Sequence, residues 1–167
     1  MMQIHVVDNF LSDNDFKVVQ ENLLYRITWK YEEFVDYQNE EGDNFQFTHS
    51  FFKNNQIDSQ HINLIKPILD KLRVKEYFRI KANLQTKTHK IQTNNFHTDI
   101  TGNWGVIPYT TSIFYVNSND GYTEFENGAK VESVGNRFVS FPSELKHRGT
   151  TCTNSKVRSV LNLNYLT

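Results

Sequence analysis

The second half of the chain alternates apolar and polar residues in short segments, and this pattern restricts the possible fold more than any other feature. From Tyr77 onward the segments read RIKANLQ, TTSIFYVN, YTEFEN, AKVESV, RFVSF and RSVLNLNYL. The turns between them include Asp120-Gly121, Asn127-Gly128 and Gly135-Asn136. Asp-Gly and Asn-Gly pairs suit tight hairpins because both residues tolerate positive φ. Many short strands joined by such turns predict a β-sandwich or barrel.

The first half of the chain predicts helices together with a few strands. A short strand is expected at residues 4–7, followed by a helix that Ser12 caps with Asp15 three residues later. A second helix is expected at about residues 59–72, where Pro67 should kink or divide it. Residues 29–55 predict one or two strands and a loop around Gly42.

The length of 167 residues suits one domain. We expect residues 1–76 to form a helical N-terminal support and residues 77–167 to form the core. The fold class is therefore mainly β, of the α+β type, with the helices packed on one face of a sheet.

Composition excludes several classes of function. The net charge of −1 gives no indication of nucleic-acid binding. No apolar run is long enough to span a membrane, and no secretory signal is visible. The single cysteine, Cys152, leaves no internal disulfide and no multi-cysteine zinc site, which favours a cytoplasmic setting. The acidic excess between Glu32 and Asp43 is either a solvated loop or a rim that attracts a basic substrate.

A candidate metal site begins at His97 and Asp99. Residues i and i+2 of a strand point to the same face, so an imidazole and a carboxylate would project together, with Thr98 facing away. His147, which follows the predicted strand RFVSFPS, is the best third ligand. Two histidines and one carboxylate with open coordination positions are the ligands of non-haem iron(II) oxygenases.

Arg158 is a candidate anchor for a cosubstrate. It lies on the segment RSVLNLNYL, where alternation gives it the same face as Val160, Asn162 and Asn164. Three protein ligands leave three octahedral positions, of which a 2-oxo acid takes two and dioxygen one. A guanidinium then suits the far carboxylate, because it binds carboxylates in a bidentate manner.

These residues resemble the 2-oxoglutarate/iron(II) dioxygenase superfamily, in its prolyl-4-hydroxylase-like branch. The resemblance covers nearly the whole chain and is carried by a run of motifs: Val7 to Ser12, His97-x-Asp99, Thr111 to Asn117, Gly121-Tyr-Thr-Glu-Phe125, His147 and Arg158. Tyr122 stands where the family has a second glycine.

The resemblance implies a double-stranded β-helix, or jelly roll, and iron(II) and 2-oxoglutarate as cofactors, with ascorbate as reductant. The implied activity hydroxylates an unactivated C–H bond with dioxygen and releases succinate and carbon dioxide. A prolyl residue in a peptide or protein is the first candidate substrate, and other side chains, free amino acids and small molecules stay open.

The resemblance also implies roles for further residues. The Tyr115 hydroxyl would support the distal carboxylate of 2-oxoglutarate beside Arg158, and Asn83 would line the cosubstrate pocket. We expect Lys81 and Gln85 to share the inward face of Asn83. Residues 36–46 and 100–109 are candidate lids, and in the latter Trp104 either contacts substrate or packs the loop onto the barrel.

Two alternatives remain at this stage. A cupin-like metal dioxygenase that does not use 2-oxoglutarate would need no distal anchor, so Arg158 and Tyr115 argue against it. A β-sandwich binding module without chemistry would need no metal ligands, so His97, Asp99 and His147 argue against that reading.

Overall fold

The computed structural model describes residues 3–35, 44–100 and 109–167. The helices are α1 (Asp13–Tyr25) and α2 (Lys66–Leu72), the second preceded by a 3₁₀ helix (Ile62–Ile65). The strands, in chain order, are β1 (His5–Val7), β2 (Lys30–Glu32), β3 (Gln46–Lys53), β4 (Gln56–Ile57), β5 (Glu76–Thr86), β6 (Thr110–Tyr115), β7 (Tyr122–Phe125), β8 (Lys130–Glu132), β9 (Phe138–Pro142), β10 (His147–Gly149) and β11 (Val157–Leu166).

The strands form two antiparallel sheets. The large sheet has the order β1-β9-β6-β11-β5-β3-β2, with β4 attached to β3, and the small sheet has the order β10-β7-β8. A buried cluster joins the sheets, with Ile113 and Phe141 from the large sheet and Phe125 and Val131 from the small one. The prediction of a mainly β, double-stranded β-helix fold is confirmed.

The helices cover the other face of the large sheet. Val19 and Leu23 of α1 and Ile68 of α2 are fully buried in one cluster with Leu161 and Leu163 of β11. Odd-numbered residues of β11 therefore face the helices, and even-numbered residues face the space between the sheets, as strand geometry requires. This second face is polar, with Arg158, Asn162 and Asn164 all buried.

The helix starts follow the sequence closely. Ser12 caps α1, and its hydroxyl oxygen accepts a hydrogen bond from the Asp15 amide at 3.2 Å, as predicted. The predicted second helix is divided into the 3₁₀ turn and α2, with Pro67 in the first turn of α2. A proline is tolerated there because its missing N–H would have no intrahelical partner.

The turns follow the sequence less closely. Asn127-Gly128 joins β7 to β8 as a hairpin, and Gly128 has a φ of 86°. Asp120-Gly121, in contrast, does not form the predicted hairpin, because it leads from β6 of the large sheet to β7 of the small sheet. The Asp120 carboxylate instead accepts hydrogen bonds from the amides of Thr153 and Asn154.

The expectations about a membrane span and about the lids can be compared with the described residues only. Of the helices that the structure describes, none is long and apolar enough to cross a membrane. Gly42, Trp104 and most of the two candidate lids lie outside the described residues.

Candidate metal and cosubstrate site

His97 and His147 lie side by side because their backbones pair. Each amide donates to the carbonyl of the other residue at 3.0 Å, which forms an isolated β-bridge. The prediction of a strand through His97 and Asp99 is wrong, since His97 has only this bridge and Asp99 lies in a bend. The two side chains nevertheless converge, because the bend turns the Asp99 carboxylate toward both imidazoles.

The three side chains offer a compact set of metal-binding atoms. One ligand atom from each of His97, Asp99 and His147 lies within 4.8 Å of the others. The Nε2 atoms of His97 and His147 are 3.7 and 4.0 Å from Asp99 Oδ1. Two imidazoles and one carboxylate grouped on one side of a cavity leave room for further ligands on the other.

Hydrogen bonds orient both imidazoles for metal binding. His97 Nδ1 lies 3.1 Å from the Asn95 carbonyl, and His147 Nδ1 lies 3.3 Å from the Leu145 carbonyl. A carbonyl oxygen only accepts, so each Nδ1 carries the proton and donates it. With the proton of a neutral ring held at Nδ1, the Nε2 lone pair would face Asp99, as a metal ligand requires.

Asp99 is held as a carboxylate. Its side chain is 4% exposed, and Arg79 Nη2 lies 2.9 Å from Oδ1. The Asn164 amide donates to Oδ2 at 3.2 Å. Burial alone would raise the pKa of Asp99, but Arg79 and the two histidines outweigh it, so its pKa lies well below the usual range. The carboxyl group is thus charged without a metal ion.

His147 is fixed by packing as well as by hydrogen bonds. Its ring lies 4.8 Å from the ring of Phe141 and 6.3 Å from that of Phe125, between centroids. Burial in this apolar surrounding lowers the pKa of His147. The imidazole therefore favours the neutral form that can bind a metal.

A cavity of about 280 Å³ extends from the three ligands to Arg158. Its wall comes from the register of β5 with β11, in which Lys81 lies opposite Asn162, Asn83 opposite Val160 and Gln85 opposite Arg158. The predicted inward face of β5 is confirmed in this respect. The Oδ1 atoms of Asn83 and Asn162 are buried and have no hydrogen-bond partner among the described residues. Unsatisfied polar atoms in a polar cavity are consistent with a bound polar ligand.

Arg158 is a buried cation. It is 5% exposed, its Nε donates to Ser133 Oγ at 2.9 Å, and its Nη2 donates to Thr123 Oγ1 at 3.3 Å. Within residues 3–35, 44–100 and 109–167 no carboxylate lies within ion-pair distance of it. Burial lowers its pKa. A buried charge without a counter-ion is costly, so an anionic ligand at this end of the cavity would relieve it.

Tyr115 lies beside Arg158 but reaches the cavity through another residue. Its ring is fully buried, with the Arg158 guanidinium 5.8 Å from the ring centroid. Its hydroxyl donates to Thr123 Oγ1 at 2.8 Å, and Thr123 lines the cavity. Thr123 thus connects both residues to the cavity.

Gly121 allows Arg158 to occupy its position. A Cβ atom at residue 121 would lie 2.6 Å from Arg158 Cδ and 2.7 Å from the Thr151 carbonyl oxygen. The next residue, Tyr122, is half-buried and does not line the cavity; the Lys130 ammonium lies 4.5 Å from its ring centroid. The departure from a Gly-Gly pair therefore leaves the site undisturbed.

Sequence reasoning missed several residues of the site. Arg79 pairs with Asp99, and Thr123 and Ser133 hold Arg158. The position of Arg79 could have been predicted, since strand alternation places it on the same face of β5 as Lys81 and Asn83. Nothing in the sequence distinguishes Thr123 and Ser133, because threonine and serine are common in any strand.

Comparisons with known proteins identify the fold. No family model and no curated protein matches the chain. Among solved structures, it is similar to a prolyl hydroxylase from Trichoplax adhaerens in complex with a hypoxia inducible factor peptide fragment (TM-score 0.72, 13% identity, 98% of this chain and 83% of that one). It is also similar to a Pseudomonas putida prolyl-4-hydroxylase (TM-score 0.67, 12% identity, 100% and 94%). A third is a 2OG-Fe(II) oxygenase family oxidoreductase from Burkholderia pseudomallei (TM-score 0.64, 11% identity, 98% and 84%).

Two histidines and one aspartate, the ligand types of an iron(II) site, thus lie in one cavity with a buried arginine. The framework that holds them has the fold of these proteins. The chain has the double-stranded β-helix fold of the 2OG-Fe(II) oxygenases, prolyl hydroxylases among them.

Proposed function

We propose that this protein is an iron(II)- and 2-oxoglutarate-dependent oxygenase that hydroxylates an unactivated C–H bond. One observation carries the proposal: a single cavity has His97, Asp99 and His147 at one end and, at the other, the buried guanidinium of Arg158, with which no described carboxylate pairs. A metal site alone would not need the Arg158 guanidinium. A carboxylate pocket alone would not need the two histidines and the aspartate.

His97, Asp99 and His147 would hold the iron. Their donor set fits it, because two neutral imidazoles and one carboxylate leave three octahedral positions free. The bound iron, with 2-oxoglutarate and dioxygen, supplies the oxidising chemistry that yields a hydroxylated product, succinate and carbon dioxide. Arg79 and Asn164 hold the Asp99 carboxylate in place, and the backbone carbonyls of Asn95 and Leu145 hold the two rings.

Arg158 would bind the distal carboxylate of 2-oxoglutarate. Its Nε donates to Ser133 and its Nη2 donates one hydrogen bond to Thr123, so the other Nη hydrogens would be the donors to a carboxylate. Thr123, held by the Tyr115 hydroxyl, would add a hydroxyl beside the same carboxylate. Asn83, whose buried Oδ1 has no hydrogen-bond partner in the described part of the chain, would line the pocket between the two ends. The chain's share in catalysis is thus to bind and orient, and ascorbate would serve as reductant.

A prolyl residue in a peptide or protein is the first substrate class to examine. The support is the similarity in fold to two prolyl hydroxylases, one of them in complex with a peptide. Fold similarity does not determine substrate, so the assay has to include other side chains and small molecules.

Anaerobic titration tests the metal and cosubstrate together. We expect stoichiometric binding of iron(II), and a weak visible absorption band when 2-oxoglutarate is added. In air, with ascorbate and a peptide and metabolite panel, 2-oxoglutarate should be converted to succinate, and mass spectrometry should detect a gain of one oxygen in the substrate. Asp99→Ala is the matched inactive control.

The negative outcomes separate the alternatives. Iron binding without the absorption band or succinate would favour a cupin-like dioxygenase that does not use 2-oxoglutarate. A protein that binds no iron under these conditions would favour a binding module without chemistry. Either result would contradict the proposed function.

A further inference from the structure

A second cavity adjoins the candidate metal site. It measures about 480 Å³ and lies along β2 and β3, where Thr48, Ser50 and Trp29 contribute to its lining. Gln46, Arg79 and Lys81 line both this cavity and the one that contains the metal ligands. A molecule in the second cavity therefore meets the metal cavity at these three side chains.

The charge of Arg79 is already committed. Its Nη2 lies 2.9 Å from Asp99 Oδ1, and its Nε donates to Asn164 Oδ1 at 3.0 Å. A guanidinium held by a carboxylate and an amide has little left to offer a ligand. Arg79 thus belongs to the support of Asp99.

Lys81, two residues further along the same face of β5, is differently placed. No carboxylate of the described ranges, 3–35, 44–100 and 109–167, lies within ion-pair distance of its ammonium group. The two acids that act on its charge have partners of their own, since Asp99 pairs with Arg79 and Glu32 pairs with Lys30 at 2.9 Å.

The surroundings of this ammonium, as far as the structure describes them, disfavour its charge. Burial, and then the proximity of Arg79, lower the pKa of Lys81 to about 8. The group is still mostly protonated at neutral pH, so the cavity wall carries a positive charge that the described residues do not neutralise. A poorly solvated cation that faces a cavity is stabilised when an anion binds next to it.

We propose, on the basis of the proposed function, that Lys81 is a specificity residue that binds a carboxylate of the prime substrate, so that the substrate extends from the second cavity toward the metal ligands. Arg158 is assigned to the cosubstrate at the far end of the metal cavity, so the two cations serve two different carboxylates. The carboxylate has two possible sources, a free amino acid or an acidic side chain within a peptide.

Calorimetric titration separates these sources and tests the role of Lys81. The probes are a panel of common L-amino acids with their carboxamides, and short proline-containing peptides with amidated C-termini that carry either Glu or Gln. Each is titrated into the protein alone, and again anaerobically with iron(II) and 2-oxoglutarate. We expect saturable binding only from probes with a carboxylate, either in the amino-acid arm or in the Glu-peptide arm.

Three variants complete the test. Lys81→Met removes the charge at similar volume and should weaken binding of the responding probe by roughly tenfold to a hundredfold. Lys81→Arg keeps the charge and should restore part of the affinity. Lys75→Met removes an exposed lysine just before β5, outside both cavities, and should leave the affinity unchanged.

Thermal unfolding and 2-oxoglutarate binding serve as further readouts. Lys81→Met should unfold at the same temperature as the original protein or higher, because it replaces a half-buried charge, which has no ion-pair partner among the described residues, with an apolar group. Its affinity for 2-oxoglutarate should not change. The proposal is overturned if carboxamides bind as well as carboxylates, if no carboxylate probe binds, if Lys81→Met binds normally, or if it loses 2-oxoglutarate affinity to the same extent. A failure of the proposed function would appear separately, as a lack of iron binding in the original protein.

Discussion

At the scale of the residue, Asp99 connects the metal ligands to the rest of the barrel. Its two oxygens meet Arg79, Asn164 and the two histidines, so a change at this position affects charge as well as ligation. The side-chain hydrogen bonds of Arg158, in contrast, go to the hydroxyl groups of Ser133 and Thr123, and no carboxylate of the described residues pairs with it. The two positions should therefore respond to substitution in different ways.

Asp99→Asn tests the ligand role. The amide is similar in shape but lacks the charge, so iron(II) affinity should fall by more than the roughly 10–100-fold that follows the loss of an outer-shell partner. Anaerobic iron titration measures this loss. Asp70→Asn, which changes an exposed ion pair with Lys66, is the control and should bind iron normally. Unchanged iron affinity in Asp99→Asn would remove Asp99 from the site.

Arg158→Met tests the cosubstrate role. Loss of a buried charge that pairs with a carboxylate costs about 2 kcal/mol or more, so the apparent KM for 2-oxoglutarate should rise roughly 30-fold or more. Iron affinity should stay near normal, because Arg158 lies at the other end of the cavity from the ligands. A parallel loss of both affinities would show that Arg158 acts on the metal ligands and does not anchor the cosubstrate.

At the scale of the element, β5 and β11 form the part of the site that is most readable in the sequence. Their alternation assigns Ile80, Ala82 and Leu161 to the helix-covered face, and Asn83 and Arg158 to the interior. Strand periodicity is local, so a single sequence carries it. The connection from β6 to β7 was less predictable, because a Gly-containing turn does not reveal which sheet the next strand joins.

Gly121→Ala tests whether the close approach of the β6–β7 connection to Arg158 is needed for 2-oxoglutarate binding. The added methyl group would meet Arg158 Cδ and the Thr151 carbonyl at under 3 Å, so Arg158 has to move. We expect a loss of stability in chemical denaturation, together with weaker 2-oxoglutarate binding. Gly128→Ala is the matched control: its surroundings are open, and a positive φ of 86° should cost about 1 kcal/mol without any effect on 2-oxoglutarate. Equal effects of both variants on 2-oxoglutarate binding would contradict this account.

At the scale of the whole molecule, two apolar clusters have different relations to the site. The cluster between the helices and the large sheet, which includes Leu163, lies on the face away from the cavity. The cluster between the two sheets includes Phe141, whose ring packs on His147. Stability should therefore depend on both clusters, but metal binding chiefly on the second.

Leu163→Ala and Phe141→Ala compare the two clusters. Removal of a fully buried leucine side chain should cost about 2–5 kcal/mol, and removal of phenylalanine about 3–5 kcal/mol, in the free energy of unfolding. Iron affinity, measured on the folded fraction, should fall only in Phe141→Ala, because His147 loses the ring that fixes it. Equal iron affinities in the two variants would show that packing does not orient His147.

The sequence by itself determined which side chains are available and which faces they share. The alternation of β5 and β11, the Ser12 cap and the division of the second helix at Pro67 all follow from steric and hydrogen-bonding preferences within a few residues. The identity of His97, Asp99, His147 and Arg158 as candidates came from side-chain chemistry and order along the chain.

Only the tertiary structure decided which of these groups meet. His97 pairs with the backbone of His147, and Arg79 neutralises Asp99. Lys81 lines two cavities and has no counter-ion among the residues that the structure describes. These contacts join residues 20 to 50 positions apart along the chain. Periodicity does not encode such contacts, because the order of strands in the sheets determines which distant residues become neighbours.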